Sequence, residues 1–480
     1  MSDQNLNRRK FLSALAGAGA FASSLELEAA ASTYNKTVKY LKKNKHFNTK
    51  KITVLYPSGS RANLLPVAKL FKEVSGVEVH LKEGSLDKIS SEMAVSQSFY
   101  NKNTSFDVAL PATFNLPDLA KNKIILDLTE YSKKYESPNF TESGFCPVKN
   151  THLNSLYGYQ TDGDAFLGFY NKKLINLKKD AYQQKFSKPH EAAKTWEQLD
   201  QQIKFFNNPK QGHFGGTLFR NKRYMPWEFW MRLHSKGYFP VSDTMKPQFN
   251  NPAGLAALSE MIETTKYLDP TVKKNSLFDN FKAFSKANSY FNLGWGGTQK
   301  YLRSEDSLIK NDILPAQPPG GIVKGQHFYM PYFNWGWSYV VSTKSKMPEL
   351  AYLFCLFAAT PEISTLAIAE QGGYFDPFRK EHFENKKIQS VYGEDFLTVQ
   401  KEALNNSIPF FYIYGKDKYF NALRQSLYLA DAGYLTPKKA LDLAAAKWDV
   451  ITEEFGRESQ IKQWMRLKKL YPKKLALVLT

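Results

Sequence analysis

Tryptophan side chains and their neighbours are the residues whose types and spacing suggest chemistry in this sequence. Trp295 stands between two glycines just after an apolar run, where an indole can project from the backbone. The loop-like run 331–337 (PYFNWGW) places Asn334, Trp335 and Trp337 among further aromatic residues. Flat rings can lie against the apolar faces of a small molecule while polar groups bond its hydroxyls. These four residues are therefore predicted ligand contacts, with a place in the core as the alternative for Trp295.

Two other tryptophans are expected to pack in the core and not to contact a ligand. Trp227 and Trp230 lie three residues apart in a segment with helical spacing. Large aromatic residues on one face of a helix usually pack into a core. Both are therefore predicted to be core residues.

Motifs for catalysis and metal binding are missing from the sequence. It has no HExxH, no GxxxxGK[ST], no GxSxG and no cysteine and histidine spacing typical of a metal site. His213, His234 and His327 are scattered along the chain. The expectation is a protein that is not an enzyme, with no catalytic residue, cofactor or bound metal.

The N-terminal segment has the pattern of an export signal. Arg8 and Arg9 precede a weakly apolar Ala/Gly run that is too short to span a bilayer, and Ala29-Ala30-Ala31 follows as a small-residue cleavage site. The paired arginines followed by Lys-Phe-Leu resemble the twin-arginine type of signal. We expect residues 1–31 to be removed near Ala31, leaving a soluble periplasmic protein.

The length and net charge of the chain limit the classes of protein to which it can belong. The chain has 480 residues, which exceeds the size of one hydrophobic core, so two domains are expected. The net charge of +20 suits an acidic partner such as an anionic membrane surface or an acidic solute. Nucleic acid is disfavoured as the partner because the lysines are spread along the chain, and because an exported protein is separated from nucleic acid. Two cysteines, Cys146 and Cys355, exclude a disulfide framework but leave one bridge possible.

The first third of the chain alternates strands and helices. Apolar runs at 51–56, 77–81 and 106–110 predict strands, and helical spacing predicts helices at 63–74 and 86–100. This order is typical of a doubly wound parallel sheet, in which ligands bind beyond the carboxyl ends of the strands. The candidate contacts at those ends are Ser58, Ser60, Arg61, Glu83 and Thr113.

Several short segments of the sequence follow one another in the order found in a known family. In this order the chain resembles the extracellular solute-binding proteins of bacterial ABC importers, in the family-1 group that includes maltose-binding protein. Each match is weak alone, but together they span about 51–457. They are the strand, helix and strand at 52–56, 68–71 and 76–79, followed by 106–108 (FDV), 169–172 (FYNK), 195–199 (TWEQL), 294–296 (GWG) and 348–354 (PELAYLF).

This resemblance implies an α/β protein with the two-lobed type II periplasmic binding protein fold. Each lobe would be a central sheet flanked by helices, with the solute held in a cleft between lobes that close on it. By this pattern lobe one is 51–163 plus 316–374, and lobe two is 164–315 plus 375–480. Glycine and proline near each crossing fit a chain that must turn there.

The resemblance also implies further ligand contacts. Asp164 lies seven residues before Asn171, where the family often places an acid, with a solvated turn as the alternative. Tyr374, Asp376 and Arg379 lie at the third crossing, and Asp376 and Arg379 either face the ligand or pair with each other. Tyr419 begins a helix that supplies an aromatic contact in relatives, with a surface tyrosine as the alternative.

The resulting hypothesis is a monomeric periplasmic carrier. It would capture a sugar, oligosaccharide or polyol and deliver it to the transmembrane subunits of an ABC permease. The alternative is a carrier of an anionic solute, such as a uronate oligomer or a phosphorylated polyol, which explains the net charge of +20 more directly. A periplasmic enzyme acting on glycans is a weaker rival.

Overall fold

The protein divides into two α/β units in the computed structural model. The structure describes residues 24–47, 50–97 and 106–480, and the side chains from residue 33 onward within these ranges. Unit 1 consists of the chain up to Gly163 together with Gly336–Leu397, and unit 2 of Asp164–Trp335 together with Thr398–Thr480. Arg8 and Arg9 lie outside the described residues.

The first stretch of unit 1 alternates strands and helices after an N-terminal helix. Its elements are α1 (Ser24–Lys43), β1 (Lys51–Pro57), α2 (Arg61–Ser75), β2 (Glu78–Gly84), α3 (Ile89–Ser96), β3 (Val108–Ala109), α4 (Leu116–Lys121), α5 (Thr129–Tyr135), β4 (Lys149–His152) and β5 (Ser155–Gln160).

The first stretch of unit 2 carries its sheet and most of its flanking helices. Its elements are β6 (Leu167–Asn171), α6 (Lys172–Leu177), α7 (Lys179–Phe186), α8 (Trp196–Phe206), β7 (Phe214–Thr217), α9 (Met225–Ser235), α10 (Pro252–Thr265), α11 (Leu277–Phe284), β8 (Ser289–Gly294), α12 (Gly296–Leu302), β9 (Ile313–Ala316), β10 (Gly321–Val323), β11 (Gln326–Phe328) and β12 (Tyr332–Phe333).

The chain then returns to unit 1 and ends in unit 2. The return contains β13 (Ser338–Val341), α13 (Pro348–Ala359), α14 (Pro361–Ile368), α15 (Lys380–Glu384) and α16 (Lys386–Tyr392). The remaining elements are α17 (Glu394–Asn406), β14 (Ile408–Pro409), α18 (Lys416–Asp431), α19 (Pro437–Glu454), α20 (Arg457–Lys468) and α21 (Lys473–Ala476).

Unit 1 is built on a six-stranded sheet in the order β2-β1-β3-β13-β5-β4. Strand β1 pairs in parallel with β2 and β3, as the alternating pattern predicts. Strand β13 runs antiparallel to both β3 and β5, so β5 has the same direction as β1. Helix α13 is buried from Leu350 to Ala359, and Phe354 packs edge-on against Phe71 of α2. The apolar run around Cys355 is therefore a core helix.

Unit 2 is built on a four-stranded sheet in the order β7-β8-β6-β9. Strands β6 and β8 are buried along their whole lengths, which explains their nearly continuous apolar sequences. Tyr290 of β8 stacks on Phe206 of α8 with ring centroids 3.9 Å apart. Trp227 and Trp230 are 6% and 1% exposed on α9, which confirms the prediction that they are core residues.

The observed crossings between units differ from the sequence expectation at two of three places. The first lies at 163/164, but the second lies at 335/336 instead of 315/316, and the third at 397/398 instead of 374/375. Residues 316–335 stay in unit 2 because Gly320 N donates to Lys194 O and β12 pairs with β14. Residues 375–397 stay in unit 1 because, for example, Arg379 donates to Phe140 O.

Helix α1 is longer than the loose leader or short helix expected for 32–50. It begins at Ser24, so it includes Ala29-Ala30-Ala31. Tyr40 packs edge-on against Tyr135, and the backbone of Ser137 donates to Thr33 Oγ1. The chain after the predicted cleavage site is therefore anchored to unit 1.

No single helix among the described residues is long and apolar enough to cross a bilayer. Helices α13 and α14 reach the required length and composition only as a pair, which is bent by 68° at its break.

Candidate functional site

The carboxyl ends of β1, β2, β3 and β5 meet at one edge of the unit 1 sheet, which we call the polar edge. Ser58 N, just beyond β1, donates to Gly84 O at the end of β2. Thr113 follows β3, and Trp337 pairs with Ala112 where β13 begins. Since strands of one direction end at the same edge, five predicted contacts lie along it: Ser58, Arg61, Glu83, Thr113 and Trp337.

A hydrogen-bonded chain of three side chains joins the ends of β1 and β2. The Arg61 guanidinium donates to Tyr56 Oη at 3.3 Å, and the Tyr56 hydroxyl donates to Glu83 Oε2 at 3.2 Å. Arg61 and Glu83 are exposed. An exposed donor and an exposed acceptor held in one network can bind adjacent hydroxyls of a ligand. Tyr56, which orders the pair, was missed by sequence reasoning because it reads as an ordinary strand residue.

Tyr374 comes to the same end of β1 from a distant part of the chain. Its hydroxyl donates to Ser58 O at 3.1 Å, and its backbone N–H donates to Asn63 Oδ1. Ser60 is buried and its hydroxyl donates to Pro57 O. Ser60 therefore stabilises the turn after β1 and is not exposed to a ligand. Ser58 and Tyr374 are half-buried and remain accessible at the polar edge.

A buried polar network lies beyond β5 and includes residues that sequence reasoning did not select. Asp162 Oδ1 accepts from Trp337 N at 3.0 Å. The Gln160 amide donates to Asp162 O, and Thr113 Oγ1 lies 3.5 Å from Gln160 Oε1. Thr113 N also donates to Gly336 O at 2.9 Å, so Asp162 and Thr113 together fix the backbone at the start of β13. The Asp-Gly-Asp loop was a visible signal, but only its second aspartate was predicted as a contact.

Gly336 should not tolerate a side chain. Its φ is +56°, and an added Cβ would lie 1.8 Å from Asp162 Oδ1. Both the left-handed backbone and the clash oppose substitution. We expect Gly336→Ala to lower the free energy of unfolding by about 1–3 kcal/mol, measured by urea denaturation. Gly325→Ala is the matched control, because it has φ +80° but open space around its Cβ. Equal losses in the two variants would contradict the role of Asp162.

In unit 2, Asp164 and Asn334 form a pair at the start of β6. Asn334 N donates to Asp164 O at 2.9 Å, and the Asn334 side chain also bonds the Asp164 carboxyl group. Burial raises the pKa of Asp164 from 3.8 to about 7, although the bond from Asn334 opposes this. Asn334 Oδ1 is buried and has no hydrogen-bond partner in the described part of the chain. The pair therefore offers two oxygens that can accept bonds from hydroxyl groups.

Trp295 lies in an aromatic cluster at the same edge of the unit 2 sheet. It follows β8, and Gly294 of β8 pairs with Leu167 of β6. Its ring meets Phe166 edge-on at 5.8 Å and stacks on Phe219 at 6.5 Å. Only 8% of Trp295 is exposed. The indole is thus mainly a packing residue of this edge, which is the alternative that the sequence left open.

Trp335 is also packed within unit 2. Its indole N–H donates to Phe410 O at 3.2 Å, and its ring stacks on Tyr412 at 4.6 Å. Its φ is +65°, an uncommon value for a bulky residue. Trp337, two residues later, is half-buried in unit 1. The aromatic run therefore serves two different units.

Three predicted contacts are buried with internal partners. Asp376 accepts a bond from the Tyr392 hydroxyl at 3.0 Å. The Arg379 guanidinium donates to the carbonyls of Phe140 and Ala359, and burial lowers its pKa to about 10. Tyr419 is 0% exposed, with its hydroxyl 2.9 Å from Thr452 Oγ1. These residues stabilise the units, and we do not assign them to the ligand site.

A cavity of 190 Å³ occurs elsewhere in unit 2. It is lined by Gln317, His327, Phe328, Tyr329, Glu402, Asn406, Pro472, Lys474 and Leu475. Its lining includes none of the predicted contacts. Among the described residues no group of three or more His, Cys, Asp or Glu side chains could hold a metal ion.

Solved structures with bound sugars or polyols have a similar fold. MalE3 of T. maritima with maltose superposes with a TM-score of 0.70 at 18% identity, over 84% of this chain and 100% of that chain. A solute-binding protein of Agrobacterium radiobacter K84 with ribitol gives 0.69 at 16% identity, over 84% and 98%. One of Agrobacterium vitis S4 with D-mannitol gives 0.68 at 16%, over 85% and 99%.

These similarities establish the fold predicted from the sequence, the two-lobed α/β fold of periplasmic binding proteins. A search of curated proteins finds no match to the chain. The family model for bacterial extracellular solute-binding proteins matches residues 67–391. This match covers more than half of the chain, from the middle of α2 to α16. The chain belongs to the bacterial extracellular solute-binding proteins.

Proposed function

We propose that the protein is the periplasmic solute-binding component of an ABC importer and captures a carbohydrate or polyol. One observation carries this proposal. In unit 2, Asp164 is bonded to Asn334 and lies two residues before Phe166, whose ring contacts Trp295. Oxygen acceptors beside aromatic rings suit a molecule with hydroxyls at its rim and apolar faces. The maltose, ribitol and mannitol in the similar structures support the same class of ligand.

Binding alone accounts for the proposed activity. A monomer would bind the solute, close on it, and release it to the transmembrane subunits of the permease. Closure requires only that the closed form binds the solute more tightly than the open form. About 8 kcal/mol of binding free energy, a micromolar complex, suffices for capture and still allows release. No covalent step is part of the proposal.

A thermal-shift screen tests the ligand class. The mature protein is mixed with polyols, neutral mono- and disaccharides, and acidic oligosaccharides. A ligand that binds only the folded protein raises the midpoint of unfolding, by mass action. We expect a rise with at least one neutral compound. No rise with any of these compounds would contradict the proposal, and release of a cleaved glycan would indicate an enzyme instead.

An anionic solute is the second candidate, favoured by the exposed Arg61 at the polar edge and the net charge of +20. The two candidates differ in the effect of salt. Affinity for a charged solute falls as ionic strength rises, whereas affinity for a neutral sugar changes little. A rise in unfolding midpoint with acidic compounds alone, lost in high salt, would establish this candidate.

Asp164 gives the site an expected pH dependence. The charged carboxylate can accept bonds from two hydroxyls, and its pKa of about 7 means that this form increases as pH rises from about 6 to 8. We therefore expect affinity for the solute found in the screen to rise over this range. Asp164→Asn should lower affinity by about tenfold to a hundredfold at pH 8 and flatten the profile, measured by calorimetry.

The matched control for this prediction is Asp162→Asn, since Asp162 bonds the backbone of Trp337 instead of a ligand. That variant should keep the pH profile. An unchanged profile in Asp164→Asn would contradict the assignment of Asp164 as the titrating group.

Export by the twin-arginine route is part of the proposal. Replacing Arg8 and Arg9 together by lysine should leave the full-length precursor in the cytoplasm, because the route reads the paired arginines. Fractionation and N-terminal sequencing of the exported protein check this prediction. A protein cleaved near Ala31 despite the double replacement would contradict a twin-arginine signal.

A further inference from the structure

We propose that the C-terminal helices of unit 2 bind an anionic phospholipid surface. The binding surface is the exposed face of α20 and its continuation, which we call the basic face. It consists of Lys462, Met465, Arg466, Lys469 and Leu470. These residues follow at intervals of three and four, so they lie on one side of a helical segment.

The opposite side of α20 fixes its orientation. Gln463, Trp464 and Leu467 are buried, and the Trp464 ring packs edge-on against Phe239 at 5.7 Å. Trp464 also meets the ring of Tyr471 at 6.2 Å, just beyond the helix. Because large aromatic rings hold this side in the core, the helix presents its basic face to solvent.

The cations of this face are not neutralised by the protein. Lys462, Arg466 and Lys469 form no ion pair within the described ranges, and neither do Lys473 and Lys474 in α21. Lys468, at the side of the helix, instead bonds Asp243 at 2.5 Å. Glu458, one turn before Lys462, is the exposed acid on the same side. The segment 462–474 therefore carries an excess of free positive charge.

Exposed apolar side chains accompany these cations. Met465 is 39% exposed, Leu470 48% and Leu477 82%. Cations with apolar side chains between them are typical of helices that lie in a membrane interface. Lysine and arginine can place their aliphatic stems along the apolar layer while their charges meet lipid phosphates. An acidic protein surface would attract the cations but would leave these apolar side chains unexplained.

Vesicle co-sedimentation tests the inference. The mature full-length protein is mixed with vesicles of equal parts phosphatidylglycerol and phosphatidylcholine, or of phosphatidylcholine alone. We expect binding to the anionic vesicles only, with weaker binding when the ionic strength is raised to about 0.15 M or more. The triple variant Lys462→Gln, Arg466→Gln and Lys469→Gln should bind about tenfold more weakly or worse.

A matched control removes the same charge elsewhere in unit 2. Lys179, Lys188 and Lys210 are exposed and form no ion pair in the described residues. Their replacement by glutamine should leave vesicle binding within about twofold of wild type, since they lie outside the basic face. Glutamine keeps the helix propensity of lysine, and an unchanged circular dichroism spectrum verifies folding.

Two results would overturn the inference. Absence of wild-type binding to anionic vesicles would exclude a lipid partner, and equal losses in the two triple variants would assign any binding to net charge alone. The inference does not depend on the proposed solute. Solute affinity measured without vesicles should be the same in wild type and both variants, so the two proposals fail separately.

Discussion

Replacing Glu228 by alanine is expected to lower the free energy of unfolding by about 3–5 kcal/mol. Glu228 is fully buried on α9 between two buried arginines. Its carboxylate accepts from Arg220 and, at 2.8 Å, from Arg232 Nε. Burial alone would raise the pKa of Glu228, but the two guanidinium groups lower it. Without the carboxylate, Arg232 would keep Asp200 and, at 3.7 Å, Glu260 as counter-ions. The buried Arg220, however, would have no acidic partner among the described residues.

Loss of Glu228 should also disturb the candidate site, because Arg220 donates to the carbonyl of Phe219 and the ring of Phe219 stacks on Trp295. Urea denaturation measures the loss, and Glu263→Ala is the control. Glu263 pairs with Lys266 in solvent, so its loss should cost less than about 1 kcal/mol. The stability due to the low pKa of Glu228 should also be lost as pH falls below about 4.5 in wild type but not in the variant. Similar losses for Glu228→Ala and Glu263→Ala would contradict this account.

Trp295→Ala should lower both stability and solute affinity. The sequence alone predicts an indole that projects from the backbone, and its removal would then change the melting temperature little. The structure changes that expectation, because Trp295 contacts Phe166, Phe219 and Phe281 and is 8% exposed. Loss of a buried tryptophan costs about 3–5 kcal/mol. Urea denaturation and calorimetry with the solute measure the two effects.

Trp295→Phe separates packing from recognition at this position. It keeps a ring in the cluster, so it should recover most of the stability. Unchanged stability in Trp295→Ala would contradict the packed position of the indole, and unchanged solute affinity in both variants would remove this edge from the proposed site.

The sequence predicted the features that depend on local periodicity. Apolar runs located β1 and β2, and helical spacing located α2 within two residues of its bounds. The parallel pairing of β1 with β2 and β3 follows from the alternating pattern. The polar residues after β1 and β2 were found because the ends of parallel strands share one edge of a sheet.

Features that depend on contacts distant in the chain were not predictable in this way. Arg379 reads as a charged turn residue, yet it bonds the carbonyl of Phe140, which lies 239 positions away. Tyr419 reads as a helix-start residue, yet Thr452 on α19 holds its hydroxyl in the core. The crossing at 335/336 depends on the short pairing of β12 with β14, which leaves little trace in the sequence. Side-chain direction in such segments is decided by tertiary packing, not by local pattern.

Calorimetric titration of the mature protein with the best neutral compound of the screen, in low and high salt, is the decisive measurement. Our account predicts saturable binding of one molecule per chain with micromolar affinity, the same in both salts and weaker in Asp164→Asn. Binding that disappears in high salt, or that persists unchanged in Asp164→Asn, would contradict recognition of a polyhydroxylated solute by the oxygens and aromatic rings of unit 2.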